Sequence, residues 1–442
     1  MPAASPSTTV NQHYLSKVMG LAEVMDVAAS EDILDLRGMK LVAKGARLTR
    51  AQQDTLGQHR LRQPLESVLV AEGAADPATI VAHATRILDT SAPLRRIIGA
   101  VRGGGPTPLA LLGAMRLGQA MRMMLTLVER GGPHALDHSI TVSLLSVCMA
   151  KQLNLAPDGQ MIAALAGLLH DIGELYIDPA YLKPGKRLLP HEWSHLVVHP
   201  LIGQVLIGDL ESYPAAVGRA VAEHHERADG TGYPRQLHGR ELSAAGQAVA
   251  VAEMISGVLQ KDLPLERAEL ALKIVPGEYA HDLLSAVSGA LRSQEQGSAP
   301  AAPGPAGEGV DTLGRRIACI LEAGRVLQRS KAPKSARATQ LLDRTMDRVA
   351  TIERAFVSTG LDFYARHSHG LPDPDRSMLF EKDVASREIQ WRLRDIARDV
   401  ALHCSASASD MALFASLICM LDDDTSTPVP GLQIGAQSAA SA

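Results

Sequence analysis

Cysteine is scarce in this chain, and a dominant charge of either sign is absent. The four cysteines, Cys148, Cys319, Cys404 and Cys419, include no C-x-x-C pair. That pattern excludes a disulfide frame and a zinc knuckle and fits a reducing compartment. A formal net charge of -4 gives no electrostatic case for nucleic acid or an anionic membrane as the main partner. Long apolar runs are missing too. The longest, Ile162 to Leu169, falls far short of the ~20 residues a membrane span needs. The opening MPAASPSTTVNQHY has no basic end followed by an apolar stretch, so no secretory signal is expected. These absences leave a cytoplasmic chain of about two or three domains, long enough to bury a substantial core.

What the sequence does hold is histidine beside aspartate and glycine. From His170 to Pro234 it reads HDIGELYIDPAYLKPGKRLLPHEW, then HPLIG, then HHERADGTGYP. A single buried imidazole is ordinarily a hydrogen-bonded core residue. A gathered set without a partner is costly to bury, so the set reads as a transition-metal site. The apolar run before His170 predicts a buried helix that delivers His170 and Asp171 to the core, with Gly173 ending it. His138 opens another apolar-periodic helix. Glu253 lies in the apolar stretch Ala250-Val251-Ala252-Glu253-Met254, where a carboxylate needs a reason to be present. No serine or cysteine stands out as a nucleophile.

Over roughly residues 131–292 these motifs resemble the HD-GYP branch of the HD-domain phosphohydrolases. His170-Asp171 is similar to the HD doublet, and HHERADGTGYP to the HHExxDGxGYP signature. Lys183-Pro184-Gly185 and His199 with Gly203 fall where that family has them. The resemblance implies a mainly α fold with an HD-type helical bundle core. It implies one metal held by His138, His170, Asp171 and Glu253, and a bridge and second metal served by Asp171, His199, His224 and His225. His134 stands where many members carry a glutamate for an additional ion; its other reading is a loop histidine after Gly131-Gly132-Pro133. Two or three divalent ions follow, iron or manganese ahead of zinc. The implied reaction is hydrolysis of cyclic di-GMP to pGpG or GMP. Asp171 and Glu174 belong to the catalytic set, and Lys183, Arg227, Asp229, Gly232, Tyr233 and Pro234 lie toward the substrate. The implied partners are cyclic di-GMP or a related nucleotide, a signalling protein at the GYP loop or C-terminal helices, and a second copy of the chain.

Several positions depart from that pattern. Glu174 replaces a lysine, which opposes a phosphodiester by on the order of 1 kcal/mol in a partly wet site. Gln247 replaces an arginine. Ser256-Gly257-Val258 and Asp262-Leu263-Pro264 replace the family's Asp-Ala-Leu and Arg-Pro-Tyr stretch, and Glu253 is one methylene longer than the usual aspartate. A catalytically weak or inactive regulatory protein is therefore the second reading.

Around this centre, residues 1–12 read as a disordered polar tail and 13–75 as a small α+β module. That module has a β-hairpin over Asp32–Gly45, a helix capped by Thr49, and a scaffold role. Residues 76–130 read as connecting helices over Pro77–Ile98 and Leu109–Glu129, the methionines of the second facing a core rather than a dimer seam. A Pro/Gly/Ala-rich tether follows at 293–309. A C-terminal helical domain at 310–424 has helices over Leu313–Arg329, Ala336–Thr359, Asp383–His403 and Ser409–Leu421. His367 and His369 read as a solvated loop, and 425–442 as a disordered tail.

Overall fold

Helix dominates, as the apolar periodicity predicts, and the strands among the described residues pair near the N-terminus. The computed structural model describes residues 9–292 apart from 102, 133, 184, 185, 187, 262 and 274–276. It also describes 310–358 and 376–422 apart from 331–333 and 406. The tether at 293–309, the tail at 425–442, residues 1–8 and the His367/His369 pair lie outside the described residues, as do Pro184, Gly185 and Asp262. Two compact units divide the chain, one within 1–188 and 194–298, the other within 189–193 and 299–442.

The first unit opens with α1 (Gln12–Ala22), β1 (Val27–Ala29), β2 (Ile33–Leu34), β3 (Lys40–Val42), α2 (Gln53–Gln58) and β4 (Leu69–Ala71). The expected hairpin is β2–β3, antiparallel with an irregular register, and β1 pairs with β4. Asp35 Oδ1 accepts the backbone N–H groups of Arg37 and Met39, and Gly38 takes φ +85°. Order begins earlier than the polar composition suggests. Thr9 bridges to Arg60, Val10 is buried, and the Asn11 side chain caps α1 by accepting from His13 and Tyr14. Burial of Val10 and Tyr14 explains why this end is held.

Each of the two expected connecting helices is broken in two. The elements are α3 (Pro77–Thr90), α4 (Ala92–Ala100), α5 (Pro108–Ala114) and α6 (Gln119–Gly131). Ser91 leaves helical geometry and accepts the Leu94 N–H as a cap. Pro93 reinforces the break, because it has no N–H for the Asp89 carbonyl that a continuous helix would pair with, yet is tolerated in a first turn. Met115 and Gly118 are extended between α5 and α6. Met115, Met121 and Met124 are buried, as core residues.

The bundle that carries the motifs comprises α7 (Ala135–Gln152), α8 (Pro157–Leu169), α10 (His199–Leu210), α11 (Ala215–Glu223), α12 (Ala244–Ser256), α13 (Pro264–Lys273) and α14 (His281–Arg292), while α9 (Pro190–Leu196) falls at the division of the two units. α8 packs on α7, α11 and α12, and α7 also packs on α12. Gly167 lets α8 approach α7: an added Cβ would lie 2.6 Å from Ser146 Oγ and 2.9 Å from Ser143 Cα. Ser143 Oγ donates to the Ala164 carbonyl across that crossing at 2.7 Å. Ile140, Leu144, Leu168, Leu169, Val251 and Ile255 are almost fully buried here, each stabilising by about 1.5–3 kcal/mol. That apolar reserve offsets the several kcal/mol per ion that a buried charged cluster costs.

The second unit contains α15 (Val310–Arg329), α16 (Ala336–Ser358), α17 (Arg376–Cys404) and α18 (Ala408–Asp422). These correspond to the expected C-terminal helices, with α17 beginning earlier. Arg348 ties α16 to α17 through Asp399 at 2.9 Å and Asp395 at 3.3 Å. No helix of the described residues is long and apolar enough to cross a membrane.

Candidate metal centre

Five imidazoles and two carboxylates converge inside the first unit. α8 ends at Leu169 and delivers His170 as its C-cap, with Asp171 following at the start of a 3-10 turn, Ile172–Tyr176. His199 begins α10, His224 is the C-cap of α11, and Glu253 comes from α12. His138 lies in the first turn of α7. The 3-10 turn and α10 touch closely, since a Cβ on Gly173 would run into the His199 carbonyl. The two motifs are thus joined by a contact that only glycine permits.

Asp171 stands between two groups. Its Oδ2 lies 2.9 Å from His170 Nε2 and 3.9 Å from His138 Nε2. Its Oδ1 lies 3.4 Å from His199 Nε2 and 3.6 Å from His224 Nε2. Glu253 Oε2 completes the first group, 3.0 Å from His138 Nε2 and 3.3 Å from His170 Nε2. His225 joins Asp171, His199 and His224 in the second.

The ring nitrogens facing away from the cluster decide its chemistry. Nδ1 of His170, His199 and His224 each donates to the backbone carbonyl three residues earlier, at Gly167 (2.9 Å), Leu196 (2.8 Å) and Val221 (2.6 Å). A proton committed to Nδ1 leaves the Nε2 lone pair directed inward, the tautomer a metal ligand needs. His138 Nδ1 has the Ser256 hydroxyl at 3.0 Å, a group able to accept the same proton. Ser256 was legible only as a departure from the family pattern, although its place one turn after Glu253 on α12 puts it on the same helix face.

These donors fit divalent cations. His199 Nε2 and His224 Nε2 face each other at 3.2 Å, an approach that requires a proton or a cation between two lone pairs. His170 Nε2 and Glu253 Oε2 are buried, and despite these short approaches neither makes a well-aligned hydrogen bond among the described residues. Without metal, protons take the cations' place. Burial opposes charge on His138, His170 and His199, but Glu253 and Asp171 outweigh it and raise all three above the usual imidazole range. Burial likewise disfavours ionised Asp171 and Glu253, yet the neighbouring imidazoles hold both well below the carboxylate range. His224 and His225 are lowered, chiefly by burial.

His134 is not brought to the cluster. It is highly exposed, sits at φ +71° ahead of α7, and faces Asp137, its Nδ1 3.5 Å from Oδ2. The helix begins after it at Ala135, so the shared helical face that would align it with His138 does not extend back that far. Lys183 is exposed. Arg227 lies 3.4 Å from Glu278 and over the Tyr279 ring. Asp229 accepts from the Thr231 N–H and hydroxyl, and Glu226 accepts from the N–H groups of Arg235 and Leu237. These contacts shape the loop. A Cβ on Gly232 would meet backbone atoms of His225, Glu226 and Arg227. Tyr233 consequently stacks on His225, centroids 4.6 Å apart, before a cis bond to Pro234.

Burial, followed by the charge of Asp171, pushes the Glu174 carboxyl from 4.5 up to about 7. A carboxyl raised on folding imposes a stability penalty that grows as pH rises from its unfolded pKa through its folded one. In metal-free protein, Glu174→Gln is therefore expected to stabilise at about pH 8, by up to about 3 kcal/mol, with the gain gone by about pH 4. Urea unfolding at the two pH values measures this. A gain independent of pH would exclude titration of Glu174 as its cause.

Residues 120–276 match the family model described as an HD domain. A cyclic di-GMP phosphodiesterase of Pseudomonas aeruginosa is 38% identical over 122 residues, covering 27% of this chain and 29% of that protein. A 3'3'-cGAMP-specific phosphodiesterase of Vibrio cholerae is 32% identical over 133 residues, 30% of this chain and 28% of that one. A cyclic di-GMP phosphodiesterase of Thermotoga maritima is 32% identical over 157 residues, 34% of this chain and 42% of that one. The match thus spans less than half the length of these relatives.

Proposed function

With an HD domain at residues 120–276 as the premise, we propose that this chain is a cytoplasmic metal-dependent phosphodiesterase of cyclic dinucleotides, with cyclic di-GMP as substrate and pGpG or GMP as product. The observation that carries this reading is Asp171, whose two oxygens address two separate histidine groups. His138, His170, Asp171 and Glu253 would hold one cation, and Asp171, His199, His224 and His225 the other. Iron and manganese suit this mixed imidazole and carboxylate set. When bound, such ions supply Lewis-acid activation of water and neutralise charge on a phosphodiester. The backbone carbonyls of Gly167, Leu196 and Val221 keep three imidazoles in the ligating tautomer. Tyr233 and Pro234 wall the site beside His225, and Lys183 is an exposed cation of the motif region toward which a phosphate would be drawn. Arg227 and Asp229 contribute through the loop they hold in shape.

The test is protein purified without oxygen, metal content by elemental analysis, and turnover of cyclic di-GMP and 3'3'-cGAMP with iron or manganese against His170→Ala. Two metals per chain and turnover lost in the variant support the reading. Preferential turnover of 3'3'-cGAMP would reassign the substrate, and a chain with no bound metal would end the proposal.

Glu174 favours the second reading, a regulatory protein that keeps its metals and has little activity. Its carboxyl stands where the family resemblance places a lysine, close enough to Asp171 to feel its charge. Glu174→Lys is expected to raise cyclic di-GMP turnover about tenfold, as a repulsion of order 1 kcal/mol becomes an attraction. A fall of the same size would instead make this carboxyl a proton donor that the reaction uses. Bound metal with no turnover in either protein would leave the regulatory role.

A further inference from the structure

The 3-10 turn after Asp171, which packs on α10, is also gripped by α1. Lys17 on α1 donates its ammonium protons to the carbonyls of Glu174 at 2.9 Å and Leu175 at 3.0 Å. Asn11 Nδ2 donates to the Tyr176 carbonyl at 3.3 Å. The Tyr14 ring stacks on Tyr176 with centroids 5.2 Å apart, and the Tyr176 hydroxyl donates to the buried Glu66. Every one of these partners comes from the N-terminal module or from Asn11, the cap of its first helix, and every target lies in Ile172–Tyr176.

Both ends of this arrangement reach the cluster. Asp171 is the N-cap of the gripped turn. Its Gly173 lies against the His199 carbonyl with no room for a Cβ. The Glu174 carbonyl also accepts the Ile177 N–H that closes the turn, and an ammonium placed on it and on the Leu175 carbonyl fixes the turn's end. Shifting that turn would move the bridging carboxylate and the start of α10 together.

We infer that Lys17 is a positioning residue for the metal centre, and that the N-terminal module is a structural part of that centre rather than an independent scaffold. The inference rests on the metal-binding reading above. It assigns Lys17 no contact with metal or substrate. Lys17 acts through the backbone of Glu174 and Leu175, and so sets where Asp171 is held.

The experiment compares the full chain with Lys17→Met, Lys17→Arg and Lys40→Met. The last removes an exposed lysine of the same module, paired with Asp32. Manganese affinity is measured by equilibrium dialysis. Amide exchange of residues 172–177 and the thermal midpoint are measured on metal-free protein. Lys17→Met is expected to weaken manganese binding 10–100-fold, the range for losing a residue that orients ligands from outside. Exchange at 172–177 should quicken while the rest of the chain and the midpoint hold. Lys17→Arg should recover most of both effects, and Lys40→Met should match the parent. Unchanged affinity with unchanged exchange overturns the inference. So does a loss of affinity accompanied by faster exchange throughout and a lowered midpoint, which marks a structural role alone. If the parent itself binds no manganese, the metal reading fails separately. The exchange at 172–177 then still decides whether Lys17 holds the turn.

Discussion

Asp171→Asn is expected to abolish turnover, by about a thousandfold or more, and to strip the chain of metal while leaving it folded. Asparagine preserves the size of the side chain but replaces one anionic oxygen with an amide nitrogen that cannot ligate. Both histidine groups meet at this residue, His138 and His170 on one oxygen, His199 and His224 on the other. One substitution therefore weakens both candidate cation sites. Losing an outer residue that merely orients a ligand costs 10–100-fold in metal affinity, so losing the shared ligand should cost more. Activation by the ions is worth several kcal/mol; about 4 kcal/mol corresponds to the thousandfold fall. Metal content and turnover of the same preparation test this. Turnover retained near the parental rate, or metal still bound at parental stoichiometry, would remove Asp171 from the bridging position.

Metal should also govern stability. The candidate cation cluster is unfavourable without cations: lone pairs of His199 and His224 converge, and buried atoms of His170 and Glu253 make no well-aligned hydrogen bond among the described residues. At a free manganese concentration about a thousand times the dissociation constant, ligand linkage predicts roughly 4 kcal/mol of added stability. The gain should shrink as pH falls. His138, His170 and His199 bind protons more tightly when folded than when unfolded, and a cation must displace those protons to ligate. In metal-free protein these three groups contribute stability that is present below the unfolded imidazole pKa, ~6.5, and lost as pH rises through the higher folded values. The difference between manganese-loaded and chelated protein is therefore expected to widen from about pH 6 to about pH 8. Denaturant unfolding at both pH values measures it. A difference that is absent, or that narrows with rising pH, would mean these imidazoles do not serve as ligands.

The residue types at the centre could be read directly from the chain. His170-Asp171, His199 and His224-His225 were legible because glycine and proline turns bracket them, and Glu253 because a carboxylate in an apolar helix stands out. The C-terminal helices were legible from periodicity alone, since each must bury a continuous apolar stripe. The exclusion of His134 from the cluster was not legible, because spacing along the chain says nothing about where a helix starts, and α7 starts only at Ala135. The breaks at Ser91 and Met115–Gly118 were hidden for a related reason. Apolar spacing continues through a break when both short helices pack on the same core.

By itself the sequence determined which side chains could ligate, and that the surrounding helices would be buried. Local pattern suffices for both, because a donor atom's chemistry and a helix's apolar face belong to short stretches of chain. Only the tertiary structure decided that Asp171 faces two histidine groups, that three backbone carbonyls set the imidazole tautomers, and that Lys17 grips the turn beyond Asp171. Each of these depends on atoms brought together by packing α8 on α7, α11 and α12 and α1 on the 3-10 turn. No spacing within a single segment encodes a contact between segments.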